Sequence, residues 1–151
     1  MKIVVSACLM GESCKYNGLD NYNRELVEAC EHTGTEVLLV CPKVFGGLPT
    51  PRDPSEIVDG EVRTCEGLSV DREFRLGAQR ALDMCEQAGG PSEIAACVLQ
   101  DRSPSCGAGR IYNGTFSGTL TAGNGVFVDL LLRHGYRVIP ACEFDPSMLE
   151  Q

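Results

Sequence analysis

Four short apolar runs, "KIVVS", "TEVLLVC", "EIAACVLQ" and "YRVIPACE", constrain this chain more than any other feature. Each is apolar almost throughout, with none of the alternation that marks a half-exposed strand. Strands of that kind are buried on both faces, which is the pattern of a parallel sheet. A parallel sheet needs a crossover between successive strands, and the intervening stretches supply helices. After the first strand, about Lys2 to Ser6, Asn23 is placed to cap a helix "RELVEACEHT". Leu26, Val27 and Cys30 fall on one face of it, and Gly34 stops it. In "DREFRLGAQRALDMCEQ" a stripe runs through Phe74, Ala78, Ala81, Leu82 and Cys85, with Asp71 and Glu73 at the positive N-terminal end. "GNGVFVDLLLRHG" predicts a last amphipathic helix with Gly135 as its stop.

Two further segments break the alternation. "IVDGEVRTCEG" predicts a hairpin turning at Asp59-Gly60. "PKVFGGLPTPRDPSEI" is too rich in Pro and Gly for anything but irregular loop, and Asp101–Gly114 likewise reads as loop from end to end. The order is strand, helix, strand, hairpin, helix, strand, helix, strand. It predicts an α/β fold of Rossmann-like or flavodoxin-like type: one domain over residues 1–151, a mostly parallel sheet with helices on both faces, and a small β-hairpin insertion.

The 151 residues are 43% hydrophobic and 23% charged, with a net charge of −8. An acidic chain with pI about 4.7 is ill suited to a nucleic-acid polymer, which is bound by clustered Lys and Arg. A small nucleobase or nucleotide stays open. The N-terminal apolar run is too short for a secretory signal. No run approaches the ~20 residues of a membrane span. The expectation is a cytoplasmic protein.

Nine cysteines are many for that setting: Cys8, Cys14, Cys30, Cys41, Cys65, Cys85, Cys97, Cys106 and Cys142. Their odd number and the lack of any C-x-x-C argue against a full disulfide framework, a zinc finger or a thioredoxin-like pair. Ligands of open parallel sheets bind at the carboxyl ends of the strands. Cys8 follows the first strand, Cys41 ends the second, Cys106 lies in the loop after the third and Cys142 follows the fourth. Cys30, Cys85, Cys97 and Cys65 are expected in the core, and Cys14 fits no common ligand spacing. Thiolates select zinc or iron–sulfur clusters. At this point a closed zinc site, a three-cysteine site with one open position and a metal-free nucleophile all remain open.

The strings "VSACLMGESCKYNG", "CPKVFGGLPTPR", "EFRLGA" and "DRSPSCGAGRIYNGTFSG" resemble, in order, the signature of the DUF523 proteins, a family that includes the thiouracil desulfidases. The resemblance spans nearly the whole chain. It implies a [4Fe-4S] cluster held by Cys8, Cys41 and Cys106, whose fourth iron binds a thiocarbonyl sulfur. Water then displaces that sulfur as hydrosulfide without net redox change. Family members typically carry Glu two residues after the second cysteine, where this chain has Lys43. Ser103 matches the family serine three residues before the third cysteine and is expected to orient substrate or relay a proton. Tyr16, Asn17, Arg52 and Glu56 are the expected substrate-binding residues, with Asn17 where Asp is usual. Lys15 or Arg52 would suit an anion.

The implied partner is a thiolated nucleobase or nucleotide, and the chain a monomer or homodimer. The alternatives are a noncatalytic iron–sulfur or metal-binding module, supported by Lys43, and a desulfidase for another small sulfur compound. "GNGVF" reads as a glycine turn more readily than as an anion site, and His32 and His134 as solvated partners of helix C-termini.

Overall fold

The computed structural model describes residues 1–150. In chain order it contains β1 (Lys2–Ser6), α1 (Arg24–Thr33), β2 (Glu36–Val40), α2 (Pro42–Phe45), β3 (Ser55–Val58), β4 (Glu61–Thr64), α3 (Asp71–Gln87), β5 (Ile94–Leu99), β6 (Arg110–Tyr112), β7 (Leu120–Ala122), α4 (Val126–Arg133) and β8 (Val138–Pro140). Short 3-10 turns follow β1 and β8.

The four apolar runs form one sheet in the order β2-β1-β5-β8, and every pair is parallel. Val4 stands opposite Leu38 on one side and Cys97 on the other. Because side chains alternate across a strand, β1 sends Val4 to one face and Ile3 and Val5 to the other. Val4, Cys97 and Leu99 pack with Phe74, Ala78, Ala81 and Leu82 of α3 and with Phe127, Val128 and Leu131 of α4. Ile3, Val5, Val98 and Ile139 pack with Leu26, Ala29 and Cys30 of α1. Helices therefore cover both faces, as the unbroken apolar runs require. Among the described residues no helix is long and apolar enough to cross a membrane.

The local signals act where the sequence puts them. Asn23 caps α1 by accepting a hydrogen bond from the Leu26 amide at 3.0 Å. Gly34 ends α1 in the left-handed conformation. Asp59 and Gly60 both have positive φ, 50° and 80°, as the two central residues of a type I′ turn must. Val27, expected beside Leu26 and Cys30, is only half-buried.

Three expectations need correction. The Pro-rich segment is not wholly irregular: Pro42 opens the short helix α2, where a residue without N–H fits the first helical position. Asp101–Gly114 is not loop throughout, since Arg110–Tyr112 is β6, which pairs antiparallel with β7 as a second hairpin. Cys65 is exposed rather than packed in the core, because it lies one residue beyond β4.

Helix α2 is held by backbone-to-backbone contact with α3. A Cβ on Gly77 would lie 1.6 Å from the Pro42 carbonyl oxygen, and one on Gly46 would lie 1.9 Å from the Glu73 carbonyl oxygen. Two glycines facing each other let the helices approach to a distance no side chain permits. That is the physical reason for Gly in "EFRLGA" and for the first Gly of "VFGG".

Candidate functional site

In the order β2-β1-β5-β8, the chain leaves β1 toward one edge and crosses to the other side of it at β5. A crevice opens outside the carboxyl ends of strands at such a reversal. The Ser6 hydroxyl, at the end of β1, accepts a hydrogen bond from the Gln100 amide after β5 at 2.9 Å and ties the two strand ends together. Above them lies a cavity of about 550 Å3.

Each strand end delivers a cysteine by a different local device. Cys8 lies in the 3-10 turn after β1, and the Asn21 side-chain amide donates to its sulfur at 3.6 Å. Cys41 is the N-cap of α2. There the Val44 amide favours the thiolate without making a regular capping hydrogen bond. Cys106 is set by a serine turn: its amide donates to the Ser103 hydroxyl at 2.7 Å, and the Gly107 amide donates to the Ser103 carbonyl at 3.0 Å.

The Cys106 loop is docked in turn on the start of α4. The Val126 amide donates to the Pro104 carbonyl at 2.7 Å and the Phe127 amide to the Ser105 carbonyl at 3.0 Å. Gly125 permits this contact, since a Cβ there would lie 2.4 Å from the Ser105 backbone. The amides of Gly123, Gly125, Val126 and Phe127 in "GNGVF" are thus used by residues 104–109 and are not free to hold an anion.

A fourth thiol joins them. Cys14 is buried, lines the same cavity and sits within hydrogen-bonding reach of both Cys8 and Cys41. It keeps its proton and donates to its two neighbours, so its own pKa rises while theirs fall. The Cys8 pKa is lowered to about 7, by Cys14 first and then by Asn21 and Lys43, against the opposing effect of burial. Cys41 is lowered to about 6 by Cys14, Lys43, the Val44 amide and Arg52. Cys106 is more deeply buried and its pKa rises, although Lys43, Ser6 and Ser105 act the other way. Burial lowers the Arg52 pKa, opposed by the nearby thiols. Its guanidinium donates to the Cys14 carbonyl at 2.9 Å.

Of the candidate residues, Cys8, Cys41, Cys106, Lys43, Ser103, Tyr16, Arg52 and Glu56 all line the cavity. Asn17 stands apart: it is exposed, and its side-chain oxygen closes a turn by accepting from the Leu19 amide at 3.0 Å. Cys142, at the fourth strand end, is exposed and lies outside the cavity wall. Cys30, Cys85 and Cys97 are in the core as expected. Sequence reasoning left Cys14 undecided and passed over Asp53, Asp101 and Phe116, which also line the cavity. They lie on irregular connections whose folding brings them in from different directions. For Asp101 and Phe116 the available signal was their position inside the same motif string as Cys106, whereas Asp53 lies just past the string that ends at Arg52.

The donor set also bears on which metal group would fit. Among the described residues no three His, Cys, Asp or Glu side chains are gathered tightly enough to hold a single metal ion. Five thiols, the exposed Cys65 among them, are instead spread over the wall of a cavity with room for a group of several atoms, and soft thiolates are what iron–sulfur clusters require. Lys15, Lys43, Arg52 and Arg102 line the same cavity and suit an assembly that carries net negative charge.

Comparison with known proteins agrees with this geometry. A protein of Bacillus subtilis (strain 168), named as uncharacterized protein YbbK, is 35% identical over 153 residues, covering 95% of this chain and 97% of its own length. Among solved structures, the [4Fe-4S]-dependent thiouracil desulfidase TudS is 43% identical, with a TM-score of 0.85 over 95% of this chain and 92% of that one. The family model for 2-thiouracil desulfurase matches residues 3–143, from the first strand to the turn after the last. This chain therefore belongs to the 2-thiouracil desulfurase family.

Proposed function

We propose that the protein is a desulfidase that removes sulfur from a thiolated pyrimidine as hydrosulfide, by hydrolysis and with a [4Fe-4S] cluster. The observation that carries this reading is the meeting of Cys8, Cys41 and Cys106, from three strand ends, on the wall of one cavity in a chain of this family. Those three thiolates would hold the cluster. When bound, it supplies a Lewis-acidic iron that polarises the thiocarbonyl group.

The chain's own residues do the rest. Lys43 stands beside the cysteine thiols, where its ammonium offsets their negative charge and holds a proton at Nζ for the departing sulfur. Ser103 spends an oxygen lone pair on the Cys106 amide, so its hydroxyl proton remains available to a ring nitrogen or carbonyl of the substrate. Asp53 and Asp101 carry carboxylates on the cavity wall, and with Lys43 standing two residues after the second cysteine they are the groups to orient water. Arg52, anchored to the Cys14 and Pro49 carbonyls, presents a fixed cation to an anionic edge of the substrate. Tyr16 lines the same wall.

The test is anaerobic reconstitution followed by iron and sulfide analysis, then incubation with 2-thiouracil and measurement of hydrosulfide and uracil. Stoichiometric cluster and equal amounts of both products are expected. A protein that takes up no cluster overturns the proposal. A full cluster with no hydrosulfide from any thiolated pyrimidine moves the assignment to a noncatalytic cluster-binding module, the reading that Lys43 favours. Replacement of Lys43 by Glu then asks whether that one position decides between the two.

A further inference from the structure

The tip of the β6–β7 hairpin, residues 113–119, is built with unusual care for a surface loop. Phe116 adopts a φ of +56°, a conformation disfavoured for a bulky side chain. It is held there by Glu56, a buried carboxylate on β3 whose Oε1 accepts hydrogen bonds from the Gly114 amide at 2.9 Å and the Phe116 amide at 3.2 Å. Gly114 presses the tip onto β3 so closely that a Cβ there would lie 2.6 Å from the Ile57 carbonyl oxygen. Within the tip, the Thr115 hydroxyl donates to the Asn113 side-chain oxygen at 2.6 Å, and the Ser117 hydroxyl lies 2.6 Å from that of Thr115 and 2.9 Å from that of Thr119.

None of this order buries Phe116. Its ring belongs to neither apolar cluster, is 36% exposed and lines the cavity that holds the cysteines. Backbone strain maintained by the surrounding structure is characteristic of ligand clamps. A flat apolar face kept accessible on a cavity wall suits a flat ligand.

We propose that Phe116 is the platform on which the planar heterocycle of the substrate stacks, and that Glu56 is the positioning residue that holds it in place. The proposal deepens the desulfidase reading and rests on it for the identity of the heterocycle.

The experiment uses the cluster-loaded protein and five chains: wild type, Phe116→Asn, Phe116→Tyr, Glu56→Ala and Glu56→Gln. Asn tolerates the left-handed conformation, so Phe116→Asn removes the ring and keeps the backbone. Two quantities are measured: calorimetric binding of uracil, and KM and kcat for hydrosulfide release from 2-thiouracil. Phe116→Asn is expected to weaken uracil binding and raise KM by roughly 5- to 150-fold, the range of base–aromatic stacking, with a smaller change in kcat. Phe116→Tyr keeps both near wild type. Glu56→Ala raises KM, and Glu56→Gln, whose side-chain oxygen accepts the same two amides, restores it.

Wild-type affinity for uracil in Phe116→Asn, with hydrosulfide release intact, overturns the platform and leaves the desulfidase reading standing. Equal KM in Glu56→Ala and wild type overturns the positioning role. Full cluster without hydrosulfide release removes the desulfidase reading, and loss of uracil binding in Phe116→Asn then still supports the platform. Absence of uracil binding by wild type overturns it.

Discussion

Cys85 and Cys97 are fully buried, and Cys8 and Cys41 nearly so, yet burial leads the two pairs in opposite directions. Desolvation pushes the Cys85 thiol up to about 12 and raises Cys97 as well, with nothing near either to favour charge strongly. Cys8 and Cys41 feel the same cost, but Cys14, Lys43, Asn21, Arg52 and a helix N-terminus outweigh it. The first pair behaves as small apolar groups and the second as ligands in waiting. What separates an inert cysteine from a reactive one here is the company it keeps, and that company sits on the loops and the short helix α2 beyond the strand ends.

The largest expected break between the two populations is in metal content. Cys106→Ala, reconstituted without oxygen, should retain no stoichiometric iron, whereas Cys97→Ala should retain the full complement. Retention of iron by Cys106→Ala would falsify the ligand assignment.

Next in size is Gly77→Ala. In an exposed helix interior that exchange stabilises by up to ~1 kcal/mol. Here the new methyl meets the Pro42 carbonyl. A loss of about 3 kcal/mol, at the upper end of ordinary overpacking, is expected by urea denaturation. Reduced iron loading should accompany it, because Cys41 caps the displaced helix α2.

Cys85→Ala should cost about 1–2 kcal/mol by the same assay and leave iron loading untouched.

The smallest effect is a shift along the pH axis. A thiol whose pKa is lowered in the folded state is charged above that value. Alkylation of Cys41 and Cys8 in cluster-free protein should therefore climb as pH rises through about 6 and about 7. Cys85 should stay unlabelled over the same range. Lys43→Glu replaces a cation that favours both thiolates with an anion that opposes them, so mass spectrometry should find both midpoints at higher pH.

Much of the scaffold was legible in the sequence. Four runs apolar on both faces can be satisfied only inside a covered parallel sheet, and Asn23, Gly34 and the Asp59-Gly60 turn each act through local geometry alone. The second hairpin escaped because β6 and β7 are three residues each and are joined by a long tip with no two-residue turn signal. Helix α2 escaped because its one turn is stabilised by contact with α3, not by propensity. Cys8, Cys41 and Cys106 were legible as positions at strand ends. Cys14 was not, since the end of a 3-10 turn and the irregular backbone that separate it from Cys8 carry no periodicity from which a direction can be read. Cys65 was misjudged by a single residue, which is enough at the end of a strand to exchange interior for solvent.

The facing glycines of α2 and α3 carry a consequence for how this fold tolerates change. Gly77 lies inside the long helix α3 and is not part of the wall of the cysteine cavity, yet one methyl added there would meet the backbone of the helix that Cys41 caps. Under selection for cluster-dependent activity, Gly77 should be as intolerant of substitution as a ligand. A saturation map would therefore trace the sensitive region away from the cavity and along the back of α3, where proximity to the chemistry would never have pointed.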